Sequence, residues 1–350
     1  MKKILIWINI ILLVFIMTSC KQNKTQKLYV FNWTDYIDPQ LIKDFEKEYN
    51  CEVIYDTYNS NENMLTKIMN STISYDIVCP STDHIVTMVN QGLVEKLDKS
   101  KLIGYENLDT LILNNCAKFD PGNQYAVPYF WGTTGIIYNK TKVPESVMKD
   151  VSWDIFADSK YEKKISMLDD MRCVIGSALL AAGFNYNDAS EAALAKAREH
   201  LIKWDKNILH YDTDAYKNEI QDGTVYFAQA YSGDALQIMG QNENIGFTLP
   251  KEGAELWVDS WVILKNAENK DLAYKFINYV ILNPENAKRN ALYVQYATTN
   301  KKAYSILPDD IKNNKIVYPS EEYLKKCDIT RNVGEKIKNM NKLWEEIKNN

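Results

Sequence analysis

Apolar positions near the start of the chain fall into a repeating order. Leu28-Tyr29-Val30-Phe31 is a short strand-like run, and Leu41, Ile42, Phe45 and Tyr49 then recur at helical spacing. Glu52-Val53-Ile54-Tyr55 is a second strand run, followed by the helical stripe Met64, Leu65, Ile68, Met69. Tyr75-Asp76-Ile77-Val78-Cys79 is a third, stopped by Pro80, and Ile85, Val86, Met88 and Val89 form a helix closed by Gly92. This β-α-β-α-β-α order predicts a parallel sheet with helices packed on it. Strand ends at Asn32, Thr57 and Pro80 then fall along one edge. Between the first strand and its helix, Asp38 is expected to cap and Pro39 to take the first helical position.

The later chain repeats the pattern with a change of register. Residues 102–114 carry weak signals. Residues 125–131 and 133–138 are extended runs around Gly132, read as a crossing into a second lobe. A strand at 164–168 ends at Asp169-Asp170, one of which is expected to cap the apolar helix that follows. An Ala-rich helix is expected over 188–204, capped by Asp188 or a neighbour, with strands over 224–230 and 245–249. The polar turn Tyr231-Ser232-Gly233-Asp234 follows the first of these. Residues 255–264 form a long extended run, read as a return crossing. Helices are expected over 271–282, 284–294 and 334–348. Trp131 and Trp261 read as hinge or core packing.

The N-terminus changes the picture. Met1-Lys2-Lys3, an apolar run over residues 4–17 and Thr18-Ser19-Cys20 have the form of a secretory signal. The apolar run is shorter than the ~20 residues of a transmembrane helix. Cys20 after Thr-Ser resembles a bacterial lipobox, which implies cleavage after residue 19 and lipidation of Cys20, with residues 20–26 as a tether. Removing residues 1–19 from 350 leaves 331, enough for two domains. The formal charge moves from −5 to −7 as Lys2 and Lys3 leave. An acidic chain disfavours a nucleic-acid partner, which wants a basic face. With Cys20 lipidated, five cysteines remain, so one at least is a free thiol. They and the three histidines show no metal-binding spacing.

The candidate chemistry sits at strand ends and crossings: Trp33, Asp35 and Tyr36; Asp83; Asp169 and Asp170; Tyr231 and Asp234; Trp257 and Asp259; Tyr296. Aromatic walls with scattered carboxylates suit a ligand with apolar stretches and positive ends. A cation over a Trp or Tyr face gains about 0.5–2 kcal/mol, and a buried ammonium needs a carboxylate partner.

Several motifs carry a resemblance. Tyr29-x-Phe31-Asn32-Trp33-Thr34-Asp35-Tyr36, Thr57-Tyr58-x-Ser60-Asn61-Glu62, Pro80-Ser81-Thr82, Val127-Pro128-Tyr129-x-Trp131-Gly132, Tyr231-Ser232-Gly233-Asp234, Pro250-Lys251-Glu252-Gly253 and Trp257-x-Asp259-Ser260 together resemble the spermidine/putrescine-binding proteins of ABC importers. The resemblance runs from about Leu28 to the C-terminus. It implies an α/β, two-lobe, periplasmic-binding-protein-like fold (type II) with the ligand cleft between lobes. One lobe would comprise residues 27–131 and about 260–300, the other 132–259 and about 301–350. It further implies an exported, lipid-anchored monomer, facing the periplasm or cell exterior. This would be a polyamine receptor for putrescine and/or spermidine that serves a membrane permease, with no cofactor, no metal and no catalysis.

Carried over by position, the resemblance puts Trp33, Thr34, Asp35, Tyr36 and Ser81 on one wall. Asp170, Tyr231, Asp234, Trp257 and Asp259 lie on the other, with Tyr296 closing the site. Three positions depart from the spermidine-type pattern: Cys173 stands where a Glu is expected, Asp83 where Tyr is common, and Thr330 where a Gln contacts ligand. The lost Glu and the retained Asp234 favour putrescine, whereas Trp257-x-Asp259 favours spermidine. The competing readings are a receptor for a sugar or other small solute, a ligand-bound sensor component, and a secreted glycoside hydrolase using two of the carboxylates.

Overall fold

The computed structural model of the chain describes residues 25–349, so the leader and Cys20 lie outside the described residues. β1 (Gln26–Trp33) pairs in parallel with β2 (Cys51–Tyr58) along its full length, from Gln26 opposite Cys51 to Trp33 opposite Tyr58. Between them α1 (Pro39–Tyr49) starts as expected. Asp38 accepts a hydrogen bond from the Gln40 backbone N–H at 2.9 Å, and Pro39 takes the first helical position. α1 buries Leu41 and Phe45 and ends at Asn50 in the left-handed conformation, φ 50. α2 (Asn61–Asn70) leads to β3 (Ile77–Val78), parallel to β1. β3 is shorter than the expected 75–79. The Asp76 side chain takes up the Tyr29 and Asn269 backbone N–H groups, and Pro80 brings no N–H to the ladder. The strand ends at Trp33, Tyr58 and Val78 thus share one edge. α3 (Thr82–Asn90) follows.

The two extended runs around Gly132 are one strand, β4 (Ala126–Asn139), buried along all 14 residues. β4 changes partners midway. Residues 126–133 pair with β9 (Glu255–Ile263), and residues 134–139 with β7 (Phe227–Tyr231) and β8 (Ile245–Thr248), all antiparallel. β9 is also buried throughout, so neither strand shows alternation between apolar and polar positions. Beyond the change of partner, β5 (Ile165–Met167) lies in parallel between β6 (Ile208–Tyr211) and β7. The sheet order is β2-β1-β3-β9-β4-β7-β5-β6, parallel at both ends and antiparallel across the middle.

Helices cover both halves. α4 (Met171–Ala181) is capped by Asp170, and α5 (Glu191–Asp205) by Ser190. α6 (Ser232–Gln241) begins where a polar turn was expected. The single helix expected over 271–282 is α-helical to Ile277 and then a π-helical turn, Asn278–Leu282. It ends at Asn283, which caps α7 (Pro284–Val294). A two-residue strand, β10 (Asp328–Ile329), adds to β9 near Glu255. α8 (Ile337–Lys348) returns to bury Met340, Leu343 and Ile347 against the second half. The cysteines at 51, 79, 116, 173 and 327 are all free thiols. Among the described residues no helix is long and apolar enough to cross a membrane.

Candidate ligand-binding site

The turn after β1 and the Pro80-Ser81 link emerge on one side because β1 and β3 are parallel. β9 runs antiparallel beside β3, which sets Ser81 directly across from Asp259. The Asp259 carboxylate is held from two sides: Ser81 Oγ donates to Oδ1 at 2.6 Å and Tyr36 Oη to Oδ2 at 2.7 Å. Tyr36 is fixed in turn by Tyr129, whose Oη donates to the Tyr36 carbonyl at 2.7 Å. Asp259 is 7% exposed, and among the described residues no cationic side chain acts on it. Burial pushes its pKa up to about 6, against the pull of the two hydroxyl donors.

Across the site, β5 and β7 deliver Asp170 and Tyr231. One oxygen of Asp170 is structural, accepting the Arg172 and Cys173 backbone N–H groups at 2.9 and 3.0 Å. Its other oxygen accepts from Tyr231 Oη at 3.3 Å. Asp234, in the first turn of α6, is differently placed. It has its own cation, Lys217 at 3.1 Å, and accepts from Tyr216 at 3.1 Å and Tyr296 at 3.3 Å.

Aromatic rings join the two walls. Tyr36 meets Tyr296 at 5.6 Å, Tyr296 meets Trp257 at 4.8 Å, and Trp257 meets Tyr231 at 6.2 Å, each steeply inclined. Two glycines make room for this series. A Cβ on Gly132 would collide with the Trp257 ring, and one on Gly233 with the Tyr296 ring. The glycines of the Trp131-Gly132 and Ser232-Gly233 pairs thus have a steric reason.

The remaining expected residues sit further out. Trp33 is half-buried, donates Nε1–H to the Cys79 carbonyl at 2.9 Å and packs on Tyr58 at 4.6 Å, beside the ring series. Thr34 and Asp35 are exposed on the rim, Asp35 with φ 55, a left-handed conformation that Asp tolerates in turns. Asp83 lies in the first turn of α3, and its side chain is outside the described residues. Trp131 packs on Tyr318, and Trp261 is wholly buried against Tyr129 and Phe276.

One acidic residue was not anticipated. Glu255 is 6% exposed on β9. Its Oε2 accepts from Cys173 Sγ at 2.8 Å and Thr134 Oγ1 at 2.9 Å, and its Oε1 accepts from Thr330. Burial raises its pKa, and the nearby Asp170 raises it further. The signal was available: residues 255, 257 and 259 alternate on a strand and so share a face.

An α/β sheet in two halves, parallel at each outer end and antiparallel where the halves join, with charged and aromatic residues of the two halves facing each other, defines a two-lobe solute-binding fold, since such sheets take ligands at strand ends. The comparisons agree. The family model described as bacterial extracellular solute-binding protein matches residues 40–319, and the chain belongs to that family. It is 35% identical over 320 residues to the spermidine/putrescine-binding periplasmic protein of Escherichia coli, covering 91% of this chain and 90% of that one. Two crystal structures share the fold. The spermidine/putrescine ABC transporter substrate-binding protein of Streptococcus pneumoniae has a TM-score of 0.82 at 38% identity, covering 93% of this chain and 99% of that one. A lipoprotein of Treponema pallidum has a TM-score of 0.84 at 32% identity, covering 93% of this chain and 100% of that one.

Proposed function

We propose that the protein is an extracytoplasmic receptor that captures a polyamine, putrescine and/or spermidine, and delivers it to an ABC-type permease. The observation that carries this reading is Asp259, a buried carboxylate held by two neutral hydroxyls with no cation of its own among the described residues. Leaving a buried charge unpaired costs several kcal/mol. An alkyl ammonium, charged at neutral pH, removes that cost, while the rings of Tyr36, Trp257, Tyr231 and Tyr296 cover its methylenes and face its charge. A neutral sugar offers Asp259 no counter-charge. The Escherichia coli relative is a spermidine/putrescine-binding protein and the Streptococcus pneumoniae one a spermidine/putrescine transporter subunit, which supports the same ligand class.

Binding energy goes into closing the lobes, which we divide as 27–131 with about 260–300 and 132–259 with about 301–350. The closed form is populated because it binds the amine more tightly than the open form does. Residues 1–19 act as the export signal and Cys20 as the lipid anchor of a monomeric receptor. The Treponema pallidum relative is a lipoprotein, which supports that anchor. The residues lining the site are the twelve named from sequence, Trp33, Thr34, Asp35, Tyr36, Ser81, Asp83, Asp170, Tyr231, Asp234, Trp257, Asp259 and Tyr296, with Asp259 as the charge partner of the amine and Asp234 neutralised by Lys217, and the reaction class is binding without catalysis. A thermal-shift panel tests the ligand class. Putrescine or spermidine at about a hundredfold over Kd stabilises the mature chain by about 2.7 kcal/mol, and oligosaccharides leave it unmoved. A shift with an oligosaccharide and none with amines would replace the reading.

A further inference from the structure

Glu255 and Asp259 stand on the same face of β9, four residues apart. At about 3.3 Å per residue their backbones are roughly 13 Å apart along the strand. The Trp257 side chain lies between them on that face. The Glu255 carboxylate is gathered by small neutral donors from three separate parts of the fold: Thr134 of β4, Cys173 of α4, and Thr330 just after β10. Its strongest influences are burial, the neighbouring Asp170 and these three donors, none of them a cation. The Tyr231 hydroxyl donates to Asp170 at 3.3 Å and lies 4.0 Å from Cys173 Sγ. Glu255 and Asp170 therefore make a second acidic pole around Tyr231. It lies at the other end of the aromatic wall from Asp259, with Trp257 between.

Two acidic poles separated by an indole match a linear cation with charges at its ends and methylenes between. The span exceeds a diamine of four methylenes and suits a triamine of the spermidine kind. We propose that Glu255 is a specificity-determining residue which, with Asp170, takes the far ammonium of a triamine, so that the site favours the longer polyamine. This rests on the polyamine reading above. Tyr231, Thr134, Thr330 and the thiol of Cys173 are the side chains hydrogen-bonded to the Glu255 carboxylate or its Asp170 neighbour, and all are neutral when protonated. Burial keeps the Cys173 thiol protonated, since it raises the pKa. Cys173 therefore donates to Glu255 rather than competing with it for a cation.

The test is calorimetric titration of the mature chain and its Glu255→Gln variant with spermidine and putrescine at pH 8. Glutamine keeps the shape and an acceptor oxygen but removes the charge. The expected result is a spermidine Kd raised by about tenfold or more and a putrescine Kd raised by less than about threefold. Unchanged affinity for both, with a lower melting temperature, would make Glu255 a strut between elements and overturn the proposal. Equal losses for the two amines would overturn it as well. If Glu255→Gln does not fold, Glu255→Asp replaces it, keeping the charge but withdrawing it by one methylene, and the same criteria apply. Adding Cys173→Glu to Glu255→Gln returns a carboxylate to the same neighbourhood and restores spermidine affinity; no recovery would count against the proposal. The unaltered chain is the control for the reading beneath it. If it binds neither amine, the polyamine assignment fails. If it binds both and the variants behave alike, only the role of Glu255 fails.

Discussion

Asp259 and Asp234 look equivalent in sequence, each a carboxylate two or three residues after an aromatic, yet the fold treats them oppositely. Asp259 is sealed among hydroxyls, and no cationic side chain acts on it among the described residues. Asp234 is half-buried and already paired with Lys217 at 3.1 Å. A paired carboxylate has little left to offer an incoming ammonium, because the new cation must share or displace the old one. A sealed, unpaired one gains the whole interaction on binding. Proximity to a cleft is therefore a poor guide to which acid binds the ligand. The better guide is what already neutralises it.

The comparison breaks most readily at Asp259. Asp259→Asn removes the charge and keeps the volume, and should weaken polyamine binding by at least about 2 kcal/mol, some thirtyfold. Unchanged affinity by calorimetry would sink the assignment. Asp234→Asn should cost less than about threefold, since Asp234 is already neutralised by Lys217, which keeps Asp214 as a partner at 3.1 Å. A loss as large as that of Asp259→Asn would erase the distinction. A separate effect is on stability without ligand. The folded-state pKa of Asp259 lies above its unfolded value, near 6 against 3.8, so its contribution favours folding below about pH 4 and is lost as pH rises through about 6. At neutral pH the ionised group costs up to roughly 3 kcal/mol. Asp259→Asn should therefore raise the melting temperature of the ligand-free protein at pH 7.5 and leave it nearly unchanged at pH 4. A uniform drop at both would show that its hydrogen bonds to Ser81 and Tyr36 outweigh its charge.

Local structure was legible where periodicity and caps agree. The β-α-β order of the first lobe, the Asp38-Pro39 start of α1 and a cap of α4 at Asp169 or Asp170 follow from side-chain spacing and capping chemistry alone, and the structure selects Asp170. Strands buried on both faces were harder to read. β4 carries no alternation, so its continuity through Gly132 was hidden, and α6 was mistaken for a turn because its opening Ser232-Gly233-Asp234 is polar. Tyr36, Ser81, Asp259, Trp257 and Tyr296 are joined by hydrogen bonds or ring contacts. Two facts about the site were beyond sequence reading. Lys217 reaches Asp234 only through the packing of its helix. Cys173 and Thr330, which looked like isolated losses of ligand contacts, both donate to Glu255, a convergence of three distant segments.

The most direct test of the central claim is the pH dependence of binding. A bound ammonium holds Asp259 ionised, so the acid that titrates near 6 in the free protein must lose its proton for the amine to bind. Ser81, Tyr36 and Cys79 around it stay neutral, and Glu255 shifts it in the same direction. Titration of the mature chain with spermidine should give a nearly constant affinity from pH 8 down to 7 and a fall of about tenfold by pH 5, with proton release on binding. An affinity flat across that range, or no saturable binding at pH 8, would contradict the account.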